Sequence, residues 1–252
     1  MLSVALLVMV VLLLVLSIYQ IRILKRINAK LIKLVAPDRD VRRIAKDREI
    51  SSRENYRQSE FYSQLLRLLD LSAPIPATRS WAASPDVLLT LLQFAKQSNP
   101  KTILDLGSGM STLVLAKSAP AAKVISIDNS AEFAQKTQEM LSLHGVSNAE
   151  VRVAPLTAHT SGVDWYDLSK IADLSDIDLL FIDGPPGSKN DRARHPALAE
   201  CLLKLSHRAI IVIDDAARDG EKDLAQEFAK ALPSHRLEFL SHEKGTAVLL
   251  PR

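Results

Sequence analysis

The feature that most constrains the fold of this chain is a glycine-rich turn between two apolar runs that each end in an aspartate. The first run leads through Asp105 into a turn at Gly107 and Gly109, and the second run ends at Asp128. Glycines permit a tight turn and close approach of the backbone to a ligand, and the helix that follows offers free N–H groups. An acid 21 residues after Gly107 is placed to accept both hydroxyls of a ribose. The spacing predicts a nucleotide-binding βαβ unit.

The turn does not have the full dinucleotide pattern. A third glycine would be needed three residues after Gly109, where the chain has Thr112. A nucleotide-dependent oxidoreductase is therefore disfavoured. The pattern Asp105-x-Gly107-x-Gly109-x-Ser111 instead resembles motif I of the class I S-adenosylmethionine (SAM) dependent methyltransferases.

Three further segments extend the resemblance over roughly residues 76–250. They are Trp81–Asp86, Asp183–Gly187 and the pair Asp214-Asp215, and together they are similar to small bacterial methyltransferases related to metal-dependent O-methyltransferases. The resemblance implies that SAM binds to a set of residues following the first four strands. These are Asp105, Gly107, Ser108, Gly109, Ser111, Asp128, Asn129, Pro155 and Asp183.

The resemblance also implies a metal centre. The fourth and fifth strands are neighbours in this fold, so their carboxyl ends would bring Asp183, Asp214 and Asp215 together. Three carboxylates without a counter-charge repel one another, and a hard divalent cation such as Mg²⁺ would relieve that repulsion. Alternatively, Arg218 or Lys222 forms an ion pair with either of the last two acids.

The general base of the related enzymes has no counterpart here. Some relatives carry a lysine or an acid two or three positions after the first metal ligand, where this chain has Pro185 and Pro186. His195 and Lys189, further along the same loop, are the candidate catalytic substitutes. A loop role or a contact with the substrate is the alternative for His195.

The N-terminal segment predicts a membrane anchor. Residues 1–21 contain no charged side chain, and about 20 apolar residues suffice to cross the hydrocarbon layer as a helix. A signal peptide would begin with basic residues and end at a small-residue cleavage site, and neither is present. We expect a retained transmembrane helix, followed by a juxtamembrane helical linker over residues 22–75 and a methyltransferase domain over residues 76–252.

The charges predict the orientation of this anchor. Residues 22–48 carry ten Lys/Arg and three Asp, a local charge of +7, whereas the whole chain carries +3. By the positive-inside rule the basic flank and the domain after it lie in the cytoplasm, at the bacterial inner membrane. Because the basic run adjoins a membrane helix, we expect contact with headgroups and no nucleic-acid partner. Leucines at helical spacing up to Pro37, where the helix should end, fit either a homodimer seam or lipid contact.

The remainder alternates strands and helices, which predicts a doubly wound, mostly parallel α/β sheet of seven strands. Strands are expected at 101–106, 123–128, 149–154, 177–183, 208–214, 236–241 and 246–250, and helices at 84–97, 111–118, 131–143, 192–205 and 220–232. The predicted function is a membrane-tethered SAM-dependent methyltransferase. It is expected to act on the oxygen of a small-molecule or lipid-linked acceptor. The alternative is a SAM-binding scaffold without catalysis.

Overall fold

The computed structural model describes residues 2–187 and 190–252, and it gives the backbone alone at residues 2–5, 7 and 35–39. The chain divides into two compact units, residues 1–55 and 56–252. The predicted boundaries after residues 21 and 75 stay predictions.

The N-terminal unit is helical. Helix α1 spans Leu2–Leu68, so its first part makes up the described residues of this unit. Within it, Val8–Leu34 has a mean hydropathy of 2.1 and no buried residue, which makes it a candidate membrane span. The prediction that Pro37 ends the helix is wrong, because α1 continues through it. A proline removes one backbone hydrogen bond and favours a kink, but it does not have to terminate a helix.

The predicted doubly wound sheet is confirmed in the second unit, which also contains a separate two-stranded hairpin. Its strands are β1 Thr102–Leu106, β2 Lys123–Asp128, β3 Ala149–Val153, β4 Leu156–Ala158, β5 Asp164–Tyr166, β6 Ile177–Ile182, β7 Leu205–Asp214, β8 His235–Leu240 and β9 Thr246–Pro251. The main sheet has the order β3-β2-β1-β6-β7-β9-β8. Within this sheet, the neighbouring strands β3, β2, β1, β6 and β7 are all parallel to one another. Strand β9 runs antiparallel to both of its neighbours, β7 and β8.

Helices cover both faces of this sheet. They are α2 Pro85–Ser98, α3 Met110–Ser118, α4 Ala131–Leu143, α5 Pro196–Cys201 and α6 Asp219–Ala231. Central strands are apolar on both sides, as parallel sheets require. Ile103 and Phe181 are fully buried in the core that contains α2 and α3, whereas Leu104 and Leu180 are fully buried in the core that contains α5 and α6.

Two local predictions need correction. The helix expected over 192–205 is only the six-residue α5, followed by a 3₁₀ turn at Leu202–Lys204, and β7 then begins at Leu205 rather than 208. The stretch from 155 to 175, expected to be irregular, contains the antiparallel hairpin of β4 and β5. Its second strand delivers Trp165 and Tyr166 into the core, where both are at most 2% exposed.

Candidate functional site

The site lies where the order of the sheet reverses. From β1 the chain builds outward through β2 and β3, and it then returns to place β6 on the other side of β1. In open α/β sheets a crevice forms outside the carboxyl ends of the strands at such a point, and ligands bind there. The glycine turn after β1, Asp128 at the end of β2 and Asp183 after β6 all lie at this edge.

Asp105 braces the glycine turn from inside. Its buried carboxylate accepts hydrogen bonds from Thr112 Oγ1 at 2.7 Å, Ser111 Oγ at 3.0 Å and Ser126 Oγ at 3.1 Å. Burial raises the pKa of Asp105 to about 7, although these three hydroxyl donors lower it. Its oxygens and the Ser111 hydroxyl are therefore engaged in bracing the turn, and the predicted part of both residues in SAM binding stays a prediction.

Asp128 lies beside the next part of the turn. Its Oδ2 accepts hydrogen bonds from Ser108 Oγ at 2.7 Å and from the Ser108 N–H at 3.2 Å, and its Oδ1 accepts one from the Ser130 N–H at 2.8 Å. A carboxylate has about four acceptor positions, so capacity for a hydroxyl donor remains. The Ser108 hydroxyl can also rotate away. The arrangement therefore fits a diol ligand such as a ribose.

The glycines of the turn serve two different purposes. Gly107 has φ +118° and Gly109 has φ +152°, both in the region that disfavours other residues. A Cβ at Gly107 would lie 3.3 Å from the backbone carbon of Asp183, so this glycine allows β1 and β6 to approach closely. A Cβ at Gly109 would meet nothing within 4 Å, which leaves open space for a ligand against the backbone.

The other predicted SAM contacts lie around the same edge. Asn129 follows Asp128 directly and is partly exposed. The Ala154 N–H donates to the Asp128 carbonyl at 2.8 Å, which places the exposed Pro155 next to the end of β2. These residues line one side of the cleft, and their roles in binding stay predictions.

Two of the three acids proposed as metal ligands, Asp183 and Asp215, meet around the guanidinium of Arg194, whereas Asp214 contacts it through its backbone carbonyl alone. Its Nη2 lies 3.1 Å from Asp183 Oδ1 and 3.0 Å from Asp215 Oδ2, and its Nη1 lies 3.6 Å from Glu221 Oε1. Arg194 is only 3% exposed. Asp215 reaches this cluster because β7 ends at Asp214 and Asp215 adopts φ +60°, which turns the chain.

Burial and the neighbouring charges shift the pKa values of the carboxyl groups in this cluster to different extents. Burial raises the pKa of Asp183 to about 6, against the lowering effect of the Arg194 charge. Burial raises the pKa of Asp214 to about 8, and the charges of Asp183 and Asp215 act in the same direction. Neither carboxylate oxygen of Asp214 has a hydrogen-bond partner in the described part of the chain.

A metal ion does not fit this arrangement as it stands. Within residues 2–187 and 190–252, no group of three or more His, Cys, Asp or Glu side chains is arranged to hold a metal ion. The position between Asp183 and Asp215 already contains a positive charge that donates hydrogen bonds to both. The expected Mg²⁺ therefore finds no support in the structure.

Of the two candidate bases, His195 lies within the described residues, and it does not join the cluster. His195 directly precedes α5, and the charged groups that act on it are Arg192, Glu227 and Asp223, none of which belongs to the Arg194 cluster. Burial and the Arg192 charge lower the pKa of His195. Lys189 lies outside the described residues. Sequence reasoning missed Arg194, because an arginine in a loop carries no motif of its own.

Comparison with known proteins agrees with this geometry. Residues 104–216 match the protein family described as a methyltransferase domain. No curated protein matches the sequence. The fold is shared with an O-methyltransferase from Bacillus cereus solved in complex with SAH, at 20% identity and a TM-score of 0.56, covering 80% of this chain and 97% of that one.

Two further solved structures show the same fold. The O-methyltransferase TomG from Streptomyces achromogenes, in complex with SAM, is 18% identical with a TM-score of 0.52, covering 79% of this chain and 96% of that one. A methyltransferase from Geobacter sulfurreducens is 18% identical with a TM-score of 0.51, covering 66% and 78%.

Proposed function

Because this chain is a class I SAM-dependent methyltransferase, we propose that it methylates an oxygen atom of an acceptor at the cytoplasmic face of the bacterial inner membrane. The observation that carries the proposal is the glycine turn beside Asp128 at the reversal point of the sheet. The choice of oxygen is supported by two of the structural neighbours, from Bacillus cereus and Streptomyces achromogenes, which are O-methyltransferases.

SAM supplies a methyl group on a positively charged sulfur. In the proposed site, Asp128 accepts the ribose hydroxyls, Asn129 and Pro155 border the adenosine, and the backbone at Ser108 and Gly109 contacts the ligand. Asp105 and Ser111 hold the turn in the conformation that this requires. The backbone of Asp183 lies against Gly107, which supports placing this residue beside the methyl-donor part of SAM.

The membrane part of the proposal rests on α1. The span Val8–Leu34 has a mean hydropathy of 2.1 and no buried residue, and a run of basic residues begins within it at residue 22, a combination that favours a retained anchor with the domain on the cytoplasmic side. An anchored enzyme acts most readily on acceptors held near the membrane, so a lipid-linked or membrane-associated acceptor is the class to test first. A soluble small molecule is the second class.

The direct test is titration of the purified full-length chain with SAM and with NADH by calorimetry. We expect heat from SAM alone, and Asp128→Ala should weaken SAM binding at least about tenfold, because hydrogen bonds to a charged group contribute about 1.5–3 kcal/mol. Glu132→Ala, an exposed acid nearby on α4, is the matched control and should bind normally. Tighter binding of NADH, or unchanged affinity in Asp128→Ala, would contradict the proposed site.

Catalysis is tested with labelled SAM and membrane extract of the host. Transfer of label to a lipid or small-molecule fraction, with release of S-adenosylhomocysteine, is the expected result. Alkali distinguishes two kinds of oxygen acceptor, because the methyl ester of a carboxylate releases methanol whereas the methyl ether of a hydroxyl group retains the label. A methylated nitrogen or sulfur in the labelled product would contradict the choice of oxygen. SAM binding without S-adenosylhomocysteine would instead identify a non-catalytic scaffold.

A further inference from the structure

Arg194 is the buried centre of the acid cluster. Its side chain is 4% exposed, and it forms ion pairs with Asp183, Asp215 and Glu221 at 3.0–3.6 Å. Removing a guanidinium from water is costly unless partners surround it. Burial lowers the pKa of Arg194, but these acids outweigh it and hold the pKa above its ordinary value. The charge is therefore fixed in place.

The guanidinium also uses backbone oxygens around the cleft. Nε donates to the Pro185 carbonyl at 3.3 Å, Nη1 to the Asp214 carbonyl at 3.1 Å and Nη2 to the Asp183 carbonyl at 2.6 Å. Together with the carboxylates, this is an all-oxygen environment around one positive charge. Oxygen ligands of this kind are what a hard divalent cation takes from a protein, usually six or more of them.

We propose that the Arg194 guanidinium takes the place of a divalent cation between Asp183, Asp214 and Asp215, so that this methyltransferase carries a permanent organic cation there and binds no metal ion. An arginine side chain stays protonated and cannot be removed by a chelator. It positions the two loops that follow β6 and β7, at the edge of the proposed SAM site. The inference rests on the proposed function only for the identity of that site.

The neighbouring charges are consistent with this replacement. Asp215 has two further cationic neighbours, Arg218 Nη1 at 3.0 Å from Oδ2 and Lys244 Nζ at 3.7 Å from Oδ1. A divalent ion would have to displace Arg194 and approach these cations. Within the described residues both oxygens of the Asp214 carboxylate lack a hydrogen-bond partner, so Asp214 is a carboxylate that a metal ion could use if Arg194 were removed.

The test measures Mn²⁺ binding to the purified full-length chain by electron paramagnetic resonance, without SAM or acceptor. Wild type should leave the free Mn²⁺ signal unchanged, and neither Mn²⁺ nor EDTA should move its melting temperature. Arg194→Ala should melt at a lower temperature and should gain one Mn²⁺ site, with Mn²⁺ restoring part of the lost stability. Arg192→Ala, an exposed arginine of the same loop, is the matched control and should behave as wild type.

One Mn²⁺ per wild-type chain, lost in Asp214→Asn, would overturn the proposal, as would an Arg194→Ala protein that melts like wild type and binds no Mn²⁺. The wild-type measurement remains decisive if Arg194→Ala does not fold. Because SAM is absent, a failed methyltransferase assay leaves this result unaffected. Conversely, a wild type that binds Mn²⁺ leaves the proposed methyl transfer intact.

Discussion

At the residue scale, the two aspartates of the glycine-turn motif have different surroundings, and only one of them is free to contact a ligand directly in the proposed site. Asp105 is the first acid of the motif, and its carboxylate accepts hydrogen bonds from the hydroxyl groups of Ser111, Thr112 and Ser126 on the inner side of the turn. Asp128 is 8% exposed at the cleft edge. The first acid therefore shapes the turn, and the second is the one that we propose to contact the ligand.

The burial of Asp105 predicts a specific pH dependence of stability. Its pKa in the folded chain is about 7, whereas an unfolded aspartate has a pKa of about 3.9. The folded state thus holds the proton more tightly, and the free energy of unfolding should fall as the pH rises from about 4 to about 7. Asp105→Asn cannot titrate, so its melting temperature should decline less than that of wild type between pH 5.5 and pH 8.

The control for this comparison is Asp223→Asn, which removes an exposed acid from α6. It should keep the wild-type decline. If Asp105→Asn also kept the full decline, the raised pKa of Asp105 would not be a source of the pH dependence.

Residue roles were predictable from sequence only where a pattern reports them. Glycine spacing and a distant acid mark Gly107, Gly109 and Asp128, because the turn and the strand geometry dictate those positions. Arg194 has no such pattern. Its importance comes from a long side chain that reaches across to β7, and long side chains leave no periodic signal in a sequence.

At the element scale, a buried acid is one of the contacts that connect the last turns of α1 to the domain. Asp86, 1% exposed near the start of α2, accepts hydrogen bonds from Gln58 Nε2 at 2.7 Å, Ser84 Oγ at 2.5 Å and the Glu243 N–H at 2.8 Å. Arg57 Nη2 lies 3.3 Å away. Asp86 therefore links α1, α2 and the turn between β8 and β9.

Removing this acid should loosen that end of the domain. Asp86→Ala leaves buried donors on three elements without their acceptor, which should lower the free energy of unfolding by about 2–3 kcal/mol. Burial raises the pKa of Asp86, but the bonds from Ser84, Gln58 and Glu243 outweigh it and lower the pKa overall. The Asp86 contribution should therefore be present above pH 4 or so and be lost as the pH falls through its lowered pKa.

Chemical denaturation of the full chain at pH 7 measures this loss. Asp178→Ala is a suitable control. Asp178 lies near the start of β6, away from the Asp86 network, and it also accepts hydrogen bonds from backbone N–H groups, those of Lys101 and Thr102. Its bonds lie partly at the surface and should contribute less. Equal losses in the two variants would argue against a special role for the Asp86 network.

Elements with strong periodicity were predicted well, and short ones were not. The central strands β1, β2 and β6 follow from apolar runs that are buried on both faces, whereas the edge strands β3 and β8 are only partly buried. The β4–β5 hairpin has three-residue strands, too short for alternation to emerge, and α5 is shortened because the residues before Pro196 form turns. Packing of Trp165 and of Arg194, rather than local preference, fixes these segments.

At the scale of the whole molecule, charge is segregated along the chain. Residues 22–48 carry +7, so the rest of the chain sums to about −4. The basic run directly follows the apolar stretch of α1. Basic residues spread over the whole domain would suggest a polyanionic partner. A basic run beside an apolar helix instead favours contact with anionic lipid headgroups.

This segregation predicts a retained, single-pass topology with the domain in the cytoplasm. A C-terminal green fluorescent protein fusion should fluoresce in the membrane fraction, and a C-terminal alkaline phosphatase fusion should be inactive, because that enzyme needs disulfides that form only outside the cytoplasm. Alkaline carbonate should not release the full-length chain, since an apolar stretch of about 20 residues inserts as a helix.

Replacing Arg22, Lys25 and Arg26 by Gln should weaken the orientation preference and raise phosphatase activity. The matched control replaces Arg42, Arg43 and Lys46, further from the apolar stretch. A shortened, soluble product would instead identify a cleaved signal sequence and would remove the anchor while leaving the methyltransferase fold intact.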